Sequence, residues 1–341
     1  MTAPHQRSSG DSAARGPGQV TRVLVTGAGG PAAIAAMRSL GADPTVELLA
    51  ADMDPWAAGL YLVAQNARTL IPAGLDPGFV DAVHARCIAM DVDVLVPTVD
   101  AEMRPLAHAR ADFARAGIEL LLAPDDALDV CLDKLALAER CTGQVPVPRT
   151  ERLDKTDPGA WAYPVVVKPR TGSGSRDVSV VRSAENLARM DASADFLVQE
   201  YLPGEEYSVD VLADAHGRVV AAVPRCRERV DSGVSVAGRT LHDEELERMG
   251  AAVVEATGLT YISNVQFRRD AAGRPALLEV NPRVPGALPL TMASGVDMPR
   301  LAMDSLRGRP LPNRATFHEM AMVRFLEERF IELGEVKEVA A

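Results

Sequence analysis

Residues 277–283 read LLEVNPR, a run in which apolar residues lead into an acid, an amide and an arginine. Side chains alternate between the two faces of a β-strand, so Glu279 and Asn281 share one face while Leu278 and Val280 point to the other. Arg283, two residues further on, is expected on the side of the polar pair. The stretch therefore predicts a strand with one face in a core and one face that carries functional groups.

The preceding run, ISNVQFRRD at residues 262–270, has the same alternation. The turn-like segment DAAGR, residues 270–274, begins at the last residue of this run. If this segment closes a four-residue hairpin loop, Gln266 lies opposite Glu279 and Asn264 lies opposite Asn281. Directly opposed Cβ atoms are about 4.5–5.5 Å apart. The hairpin therefore predicts a patch where three oxygen-bearing side chains meet: Gln266, Glu279 and Asn281.

A small set of carboxylate and amide oxygens suits Mg²⁺, or Mn²⁺ in its place, when the ion is shared with a phosphate. Arg283 would face the same patch, where it could clamp a phosphoryl oxygen. The hairpin alone is equally compatible with a solvated polar face of a sheet.

A lysine and a glycine-rich loop provide a second candidate feature. A valine-rich strand ends at Lys168, and Gly172, Ser173, Gly174 and Ser175 follow. Glycines allow backbone N–H groups to approach phosphate oxygens, and a lysine adds a point charge. The order of residues is not that of a Walker A loop, because GxxxxGK[ST] is absent. A flexible hairpin tip is the structural alternative.

Two weaker candidates lie further along the chain. The backbone of Tyr201 and Leu202, after Glu200, could pair with an adenine edge, and Glu206 could hold ribose hydroxyls.

Three arginines alternate in the run PRCRERV and are expected to present their cations on one strand face: Arg225, Arg227 and Arg229. Acids beside a turn and arginines on a surface are also common without any function.

The pattern of predicted secondary structure changes along the chain. Strand and helix patterns alternate over residues 20–123, which predicts a Rossmann-like, doubly wound parallel sheet. Strand patterns dominate after residue 145, which predicts mostly antiparallel sheets with few helices. The predicted organisation is a disordered tail (1–19), a doubly wound domain (20–123), a helical linker (124–145), a small lid domain with the glycine-rich loop (146–202) and a C-terminal domain (203–341).

Composition excludes several classes of protein. The 341 residues carry a formal net charge of −11 and only 4% aromatic residues, which argues against nucleic acid as a partner. No apolar run is long enough for a membrane span, and no hydrophobic block marks a secretory signal. The four scattered cysteines are expected to be reduced, so we expect a cytoplasmic protein. We also expect a homodimer.

The motifs, taken in order, resemble the ATP-grasp superfamily, and the likeness is strongest to ATP-grasp proteins of the carbamoyl-phosphate-synthase large-subunit type. Seven segments carry the resemblance across residues 20–311: VLVTGAGGPA, LVPTVDAE, DKLALAE, VVVKPRTGSGS, QEYLPGEEYSVD, NVQF and LLEVNPRVPG. The resemblance implies an ATP-grasp architecture, with α/β and α+β domains and a central lid.

The resemblance also implies roles for single residues. Lys134 and Lys168 would contact the ATP phosphates, with the loop from Gly172 to Ser175 above them. The adenine and ribose contacts would be Glu200, Tyr201, Leu202 and Glu206. Gln266, Glu279 and Asn281 would bind the metal, and Arg283 would steady the phosphoryl group. Gln266 departs from the family, in which Asp or Glu is usual, so one of two metal ions is expected to bind weakly.

The activity implied is ATP-dependent joining of a carboxylate to an amine through an acyl phosphate, and the leading expectation is an amino-acid ligase that makes a dipeptide or amide. Arg227 is the first candidate to hold the substrate carboxylate or the acyl phosphate, and Arg225 and Arg229 are the next candidates. Asp100 and Glu102, at the end of a strand of the first domain, are candidates to bind an amino group. Gly286 is a candidate for backbone contact with the substrate.

Two alternatives compete with a ligase. Gly27 and Gly29 with Ala32, followed by Asp52, fit the dinucleotide fingerprint of an NAD-dependent oxidoreductase, although a lone match is weak evidence. A nucleotide-binding protein without catalytic activity is the other, and the glutamine at position 266 supports it.

Overall fold

The first domain contains a parallel sheet with the doubly wound strand order. The computed structural model describes residues 20–172, 174, 176–231 and 234–340, and the predicted N-terminal tail lies outside them. The strands are β1 (Thr21–Val25), β2 (Val46–Asp52), β3 (Arg68–Leu70), β4 (Val94–Val96) and β5 (Glu119–Leu120). They are parallel and lie in the order β3-β2-β1-β4-β5.

Helices cover both faces of this sheet, because the strands are apolar on both sides. Leu24 of β1 packs toward α2 and α3, whereas Val23 and Val25 pack toward α1. The helices are α1 (Pro31–Leu40), α2 (Phe79–Ala89), α3 (Asp100–His108) and α4 (Arg110–Arg115). Two further helices, α5 (Asp125–Cys131) and α6 (Lys134–Cys141), lead out of the domain.

A small four-stranded antiparallel sheet follows. It contains β6 (Thr150–Arg152), β7 (Val165–Pro169), β8 (Ser179–Val181) and β9 (Phe196–Glu200), in the order β6-β9-β7-β8, with α7 (Ala184–Ala188) beside it. This sheet has a hydrophobic cluster of its own, which includes Trp161, Val167 and Val198. We refer to this unit as the lid.

The largest sheet has six antiparallel strands in the order β14-β13-β10-β11-β12-β15. Its strands are β10 (Glu206–Ala213), β11 (Val219–Asp231), β12 (Val234–Thr240), β13 (Tyr261–Arg269), β14 (Pro275–Asn281) and β15 (Ala321–Val323). The accompanying helices are α8 (Glu244–Thr257), α9 (Leu288–Ala293), α10 (Met298–Leu306) and α11 (Leu333–Ala340). We call this unit the large sheet.

The parallel sheet and the large sheet share their hydrophobic cores. One cluster joins Leu95 and Leu128 to Val209 and Phe267, and a second joins Val25 to Leu212 and other residues of the large sheet. Because apolar area is buried continuously across both sheets, they form a single packed body. The fold is the predicted ATP-grasp architecture.

Several local predictions need correction. The helical linker was expected to be one helix over residues 125–143, but it divides at Asp133, whose carboxylate accepts the backbone N–H groups of Leu135 and Ala136 and so starts α6. The short strands β3, β6, β12 and β15 and the helices α9 and α11 were not predicted, because each is too short or too weakly periodic to stand out.

Within the described part of the chain, no helix has the length and apolar character that crossing a bilayer requires.

Candidate active site

The polar hairpin has the predicted register. Gln266 of β13 lies opposite Glu279 of β14, and Asn264 lies opposite Asn281. The apolar face differs from the prediction, because a bulge follows this pair and Leu277, not Leu278, is buried with Val280. The polar face therefore places the oxygens of the candidate metal ligands next to one another on one surface of the large sheet.

Lys134 connects this surface to the lid. It is the first residue of α6, and its Nζ donates to the carbonyl oxygen of Gly172 at 2.7 Å and lies 3.8 Å from Oε2 of Glu279. Arg170 of the lid pairs with Asp133 through Nη2 and Oδ2 at 2.6 Å. The break between α5 and α6 thus sets a lysine between the glycine turn and the polar hairpin.

Lys168 is the buried cation of the site. Its side chain leaves the end of β7, is 7% exposed, and donates from Nζ to Oε1 of Gln199 at 2.8 Å. Burial lowers the pKa of Lys168 to about 8, and the positive charge of Lys134 acts in the same direction, while Glu279 and Glu206 oppose it. Lys168 of the lid is thus close enough to Lys134, Glu279 and Glu206 to feel their charges, and Lys134 contacts both the lid and Glu279 where the lid meets the large sheet.

The glycine turn has the backbone that its sequence requires. The backbone φ angles of Gly172 and Gly174 are +108° and +76°, values that residues with a Cβ atom rarely adopt. Among the described residues other than its chain neighbours, no heavy atom lies within 4 Å of a Cβ built on Gly172, so this position faces open space. Ser173 and Ser175 lie outside the described residues, so their predicted phosphate contacts stay predictions.

The predicted adenine segment lies where the lid joins the large sheet. Glu200 ends β9, and its carboxylate accepts the N–H of Arg149 at 3.3 Å. Tyr201 is half-buried and Leu202 is buried, and the chain then turns at Gly204 into β10. Their roles in binding a base stay predictions.

The three arginines of β11 do not form the expected row of cations. Arg225 is 2% exposed and makes two 2.7 Å hydrogen bonds to Asp210, which also accepts from Asn264 and Thr291. The expectation of a cation displayed at this position is therefore wrong, because Arg225 is buried in a bidentate ion pair with Asp210.

The other two arginines differ from each other. Arg227 forms an ion pair with Glu206 from the neighbouring strand β10, so the predicted ribose acid and the first candidate carboxylate ligand neutralise one another. Arg229 is exposed and follows a register shift in β11.

The two acids of the first domain also have protein partners. Asp100 begins α3 and pairs with Arg283 through two hydrogen bonds of 2.7 and 2.8 Å. Glu102 is 4% exposed and hydrogen-bonds to Oγ1 of Thr26 at 2.5 Å; burial raises its pKa to about 7. Glu102 is therefore a buried support of the loop before α3, and the expectation that it meets a substrate from the cleft is wrong.

One arginine of the site was missed by sequence reasoning. Arg324 follows β15, donates to the carbonyl oxygen of Gly286, and has a buried Nε without a hydrogen-bond partner. Burial and the positive charge of Arg225 lower its pKa. In the described chain no carboxylate lies within ion-pair distance of Arg324. The alternation in AMVRF was the available signal, because it predicts a strand that carries a polar side chain.

The donor set of the hairpin fits a metal that is shared with a ligand. Gln266, Glu279 and Asn281 supply oxygens but only one negative charge. Among the residues that the structure describes, no group of three or more His, Cys, Asp or Glu side chains is placed to hold a metal ion. Hard oxygen donors of this kind suit Mg²⁺ that completes its coordination with phosphate and water.

A doubly wound domain followed by two antiparallel sheets, with two lysines and a polar hairpin facing the cleft between them, defines an ATP-grasp protein. Residues 192–329 match the family described as ATP-grasp in the biosynthetic pathway with Ter operon, and residues 23–121 match the PylC-like N-terminal domain family. Residues 192–329 thus match an ATP-grasp family, and the fold of the chain is that of the ATP-grasp superfamily.

Similarity to a curated protein points to the predicted branch. The carbamoyl phosphate synthase large chain of Thermomicrobium roseum is 30% identical over 226 residues, which is 59% of this chain and 21% of that protein. The matched part thus spans about a fifth of the length of that relative.

Solved structures share the fold. A biotin carboxylase from Campylobacter jejuni has a TM-score of 0.71 at 16% identity, covering 86% of this chain and 72% of that one. An N5-carboxyaminoimidazole synthetase from Staphylococcus aureus, complexed with ADP, has a TM-score of 0.69 at 12% identity, covering 90% and 83%. At these identities the likeness establishes the ATP-grasp fold.

Proposed function

We propose that this protein binds ATP with Mg²⁺ in the cleft between the lid and the large sheet, and uses it to join a carboxylate to an amine. A carboxylate oxygen attacks the γ-phosphorus and the bond to ADP breaks, which gives an acyl phosphate. The amine then attacks the acyl carbon, phosphate leaves, and the nitrogen loses a proton. The observation that carries the proposal is the convergence of Lys134, Lys168 and Glu279 in one cleft.

The two lysines would bind the triphosphate. Lys168 is desolvated and Lys134 adds repulsion, so both cations gain when an anion enters the cleft. Such a site stabilises the negative charge that spreads over the transferred phosphoryl group, and no protein nucleophile is required.

Gln266, Glu279 and Asn281 would hold the metal. A bound Mg²⁺ supplies charge neutralisation and orientation of the phosphates. Arg283, two residues beyond Asn281, would contribute a fixed positive charge beside them.

Arg324 supports an anionic substrate. Its guanidinium is partly buried without a counter-charge in the described chain, and it lies against the carbonyl of Gly286 in the loop after Arg283. A partly buried cation favours an anion that accepts its remaining N–H groups. We propose that the substrate carboxylate binds here, in place of the arrangement around Arg227 that the sequence suggested.

The glycine turn of the first domain disfavours an NAD-dependent enzyme. The N–H of Gly29 donates to Oδ2 of Asp52 at 2.7 Å, and a Cβ built on Gly59 would lie 2.2 Å from the carbonyl oxygen of Ala28. The turn is therefore covered by the chain's own residues, and Asp52 is engaged where a ribose would need it.

The experiment is a phosphate-release screen with MgATP over amino acids, alone and in pairs. We expect release that depends on an added carboxylate, and its loss in Glu279→Gln, which keeps the shape of the side chain but removes the only carboxylate of the metal set. Glu185→Gln, on the exposed surface of the lid, is the matched control and keeps full activity.

The same screen separates the two remaining classes. A protein that binds nucleotide without catalysis would bind MgATP and release no phosphate with any substrate pair. Equal rates in wild type and Glu279→Gln would exclude the proposed metal site.

A further inference from the structure

The guanidinium of Arg283 is held by three neighbours. Its Nε and Nη2 donate to the two carboxylate oxygens of Asp100 at 2.7 and 2.8 Å, and its Nη1 donates to the carbonyl of Val284 at 3.2 Å. Nη2 also lies 3.5 Å from Oδ1 of Asn281. Asp100 thus engages the Nε side of the fork, and Nη2, at the tip of that side, is also the nitrogen that lies near a proposed metal ligand, Asn281.

This ion pair joins two different sheets. Arg283 follows β14 of the large sheet, and Asp100 follows β4 of the parallel sheet, 183 residues earlier in the chain. Both side chains are 18% exposed. A bidentate pair of this burial is geometrically specific, because planar guanidinium and carboxylate groups match in only a few orientations.

Asp100 is presented by a rigid loop. The hydroxyl of Thr98 donates to the carbonyl of Thr26 at 2.8 Å, and the hydroxyl of Thr26 is in turn bonded to the buried Glu102. Gly27 has φ of +63°, and a Cβ built there would lie 2.5 Å from Cγ2 of Val99. Close packing on this scale fixes the backbone from which Asp100 projects.

We propose that Asp100 is a positioning residue for Arg283: it fixes the guanidinium so that the end of the fork faces the phosphoryl position beside Asn281. The inference rests on the proposed function, and it replaces the expectation that Asp100 binds an amino group. Both carboxylate oxygens of Asp100 are already committed to Arg283, so an ammonium group would have to compete with a fixed bidentate partner.

The experiment measures binding of inorganic phosphate to the MgADP complex by calorimetry. We expect Asp100→Asn to weaken phosphate binding about tenfold or more, because an amide opposes one N–H of the fork with its own N–H and the charge assistance of the bidentate pair is lost. MgADP affinity should be unchanged. Asp304→Asn is the control, since Asp304 is 20% exposed and pairs with Arg309 on the surface.

A double-mutant cycle separates positioning from a structural or direct role. If Asp100 acts through Arg283, Asp100→Asn has no further effect on phosphate binding in the Arg283→Gln background. An undiminished effect in that background overturns the proposal, as does wild-type phosphate affinity in Asp100→Asn. Failure of wild-type MgADP complex to bind phosphate also overturns it.

Failure of the positioning proposal is distinct from failure of the proposed ligase activity, because the phosphate-binding experiment requires no carboxylate or amine substrate. A protein could pass the phosphate test and still release no phosphate in the screen, which would refute the reaction but not the positioning of Arg283.

Discussion

Replacing Lys168 by methionine should make the ligand-free protein more stable while it removes ATP binding. The lysine is 7% exposed and its pKa is lowered from 10.5 to about 8, chiefly by burial. That displacement corresponds to about 3 kcal/mol against the charged form at neutral pH. Methionine has a similar length, fills the same space and carries no charge.

Part of this gain is offset. Oε1 of Gln199 accepts from Lys168 and would lose that donor. A buried acceptor left unpaired costs about 1–3 kcal/mol. The expected net stabilisation at pH 7 is therefore up to about 2 kcal/mol, which corresponds to an increase of at most a few degrees in Tm.

The pH dependence has a fixed sign. The pKa of Lys168 is lower in the folded state than in the unfolded state. The charged lysine therefore destabilises the folded protein by the full amount below about pH 8, and this destabilisation disappears as the pH rises toward 10.5. Lys168→Met has no such group, so its advantage over wild type should shrink between pH 7 and pH 9.5.

The assay is thermal unfolding at both pH values, with and without MgATP. Wild type should gain stability from MgATP, by about 2.7 kcal/mol at a concentration one hundred times Kd, and Lys168→Met should not. Lys155→Met, an exposed lysine of the same lid, is the control and should follow wild type throughout. Lower stability of Lys168→Met at pH 7, or an advantage that does not change with pH, would refute the reasoning.

Two other substitutions test the groups that support the site. Asp210→Asn should destabilise the protein by about 3–5 kcal/mol, because it leaves the buried Arg225 without a charged partner, and urea denaturation measures the loss; a change below 1 kcal/mol would contradict the network. Glu102→Gln should gain stability over wild type as the pH rises from 5 to 8, by up to about 3 kcal/mol, because the pKa of Glu102 is raised from 4.5 to about 7 and ionisation opposes folding in that range. Unfolding of both proteins across that range checks the sign, and a constant difference would be inconsistent with a buried, titrating Glu102.

The register of the polar hairpin was predictable from sequence, although one step of the prediction was wrong. The closing pair is Arg269 with Pro275, so the loop has five residues and not four. The bulge at Leu278 adds one residue to β14 and restores the predicted pairing of Gln266 with Glu279. The alternation of polar and apolar residues indicated which side chains share a face, because a shift of the strand pairing by one residue would expose the apolar residues of the hairpin to solvent.

The partners of the charged residues were not predictable in the same way. Arg225 and Asp210 are on neighbouring strands, and Arg283 and Asp100 come from different domains, so no local period relates them. Sequence patterns identify which residue types lie on a face, whereas pairing depends on how sheets pack. Arg324 was missed for the same reason, because its significance comes from the loop at Gly286 that it contacts.

The distribution of charge explains why the site is assembled from separate units. Lys168 belongs to the lid, Lys134 to the helix that leads into it, and Glu279 to the large sheet, so no single element carries enough like charge to oppose its own folding. The repulsion arises only where the units meet, around a cleft that a polyanion with a divalent cation would neutralise. Arg283 is different, since Asp100 neutralises it before any ligand binds. The lysines would therefore gain most from nucleotide binding, while the arginine remains oriented in both states.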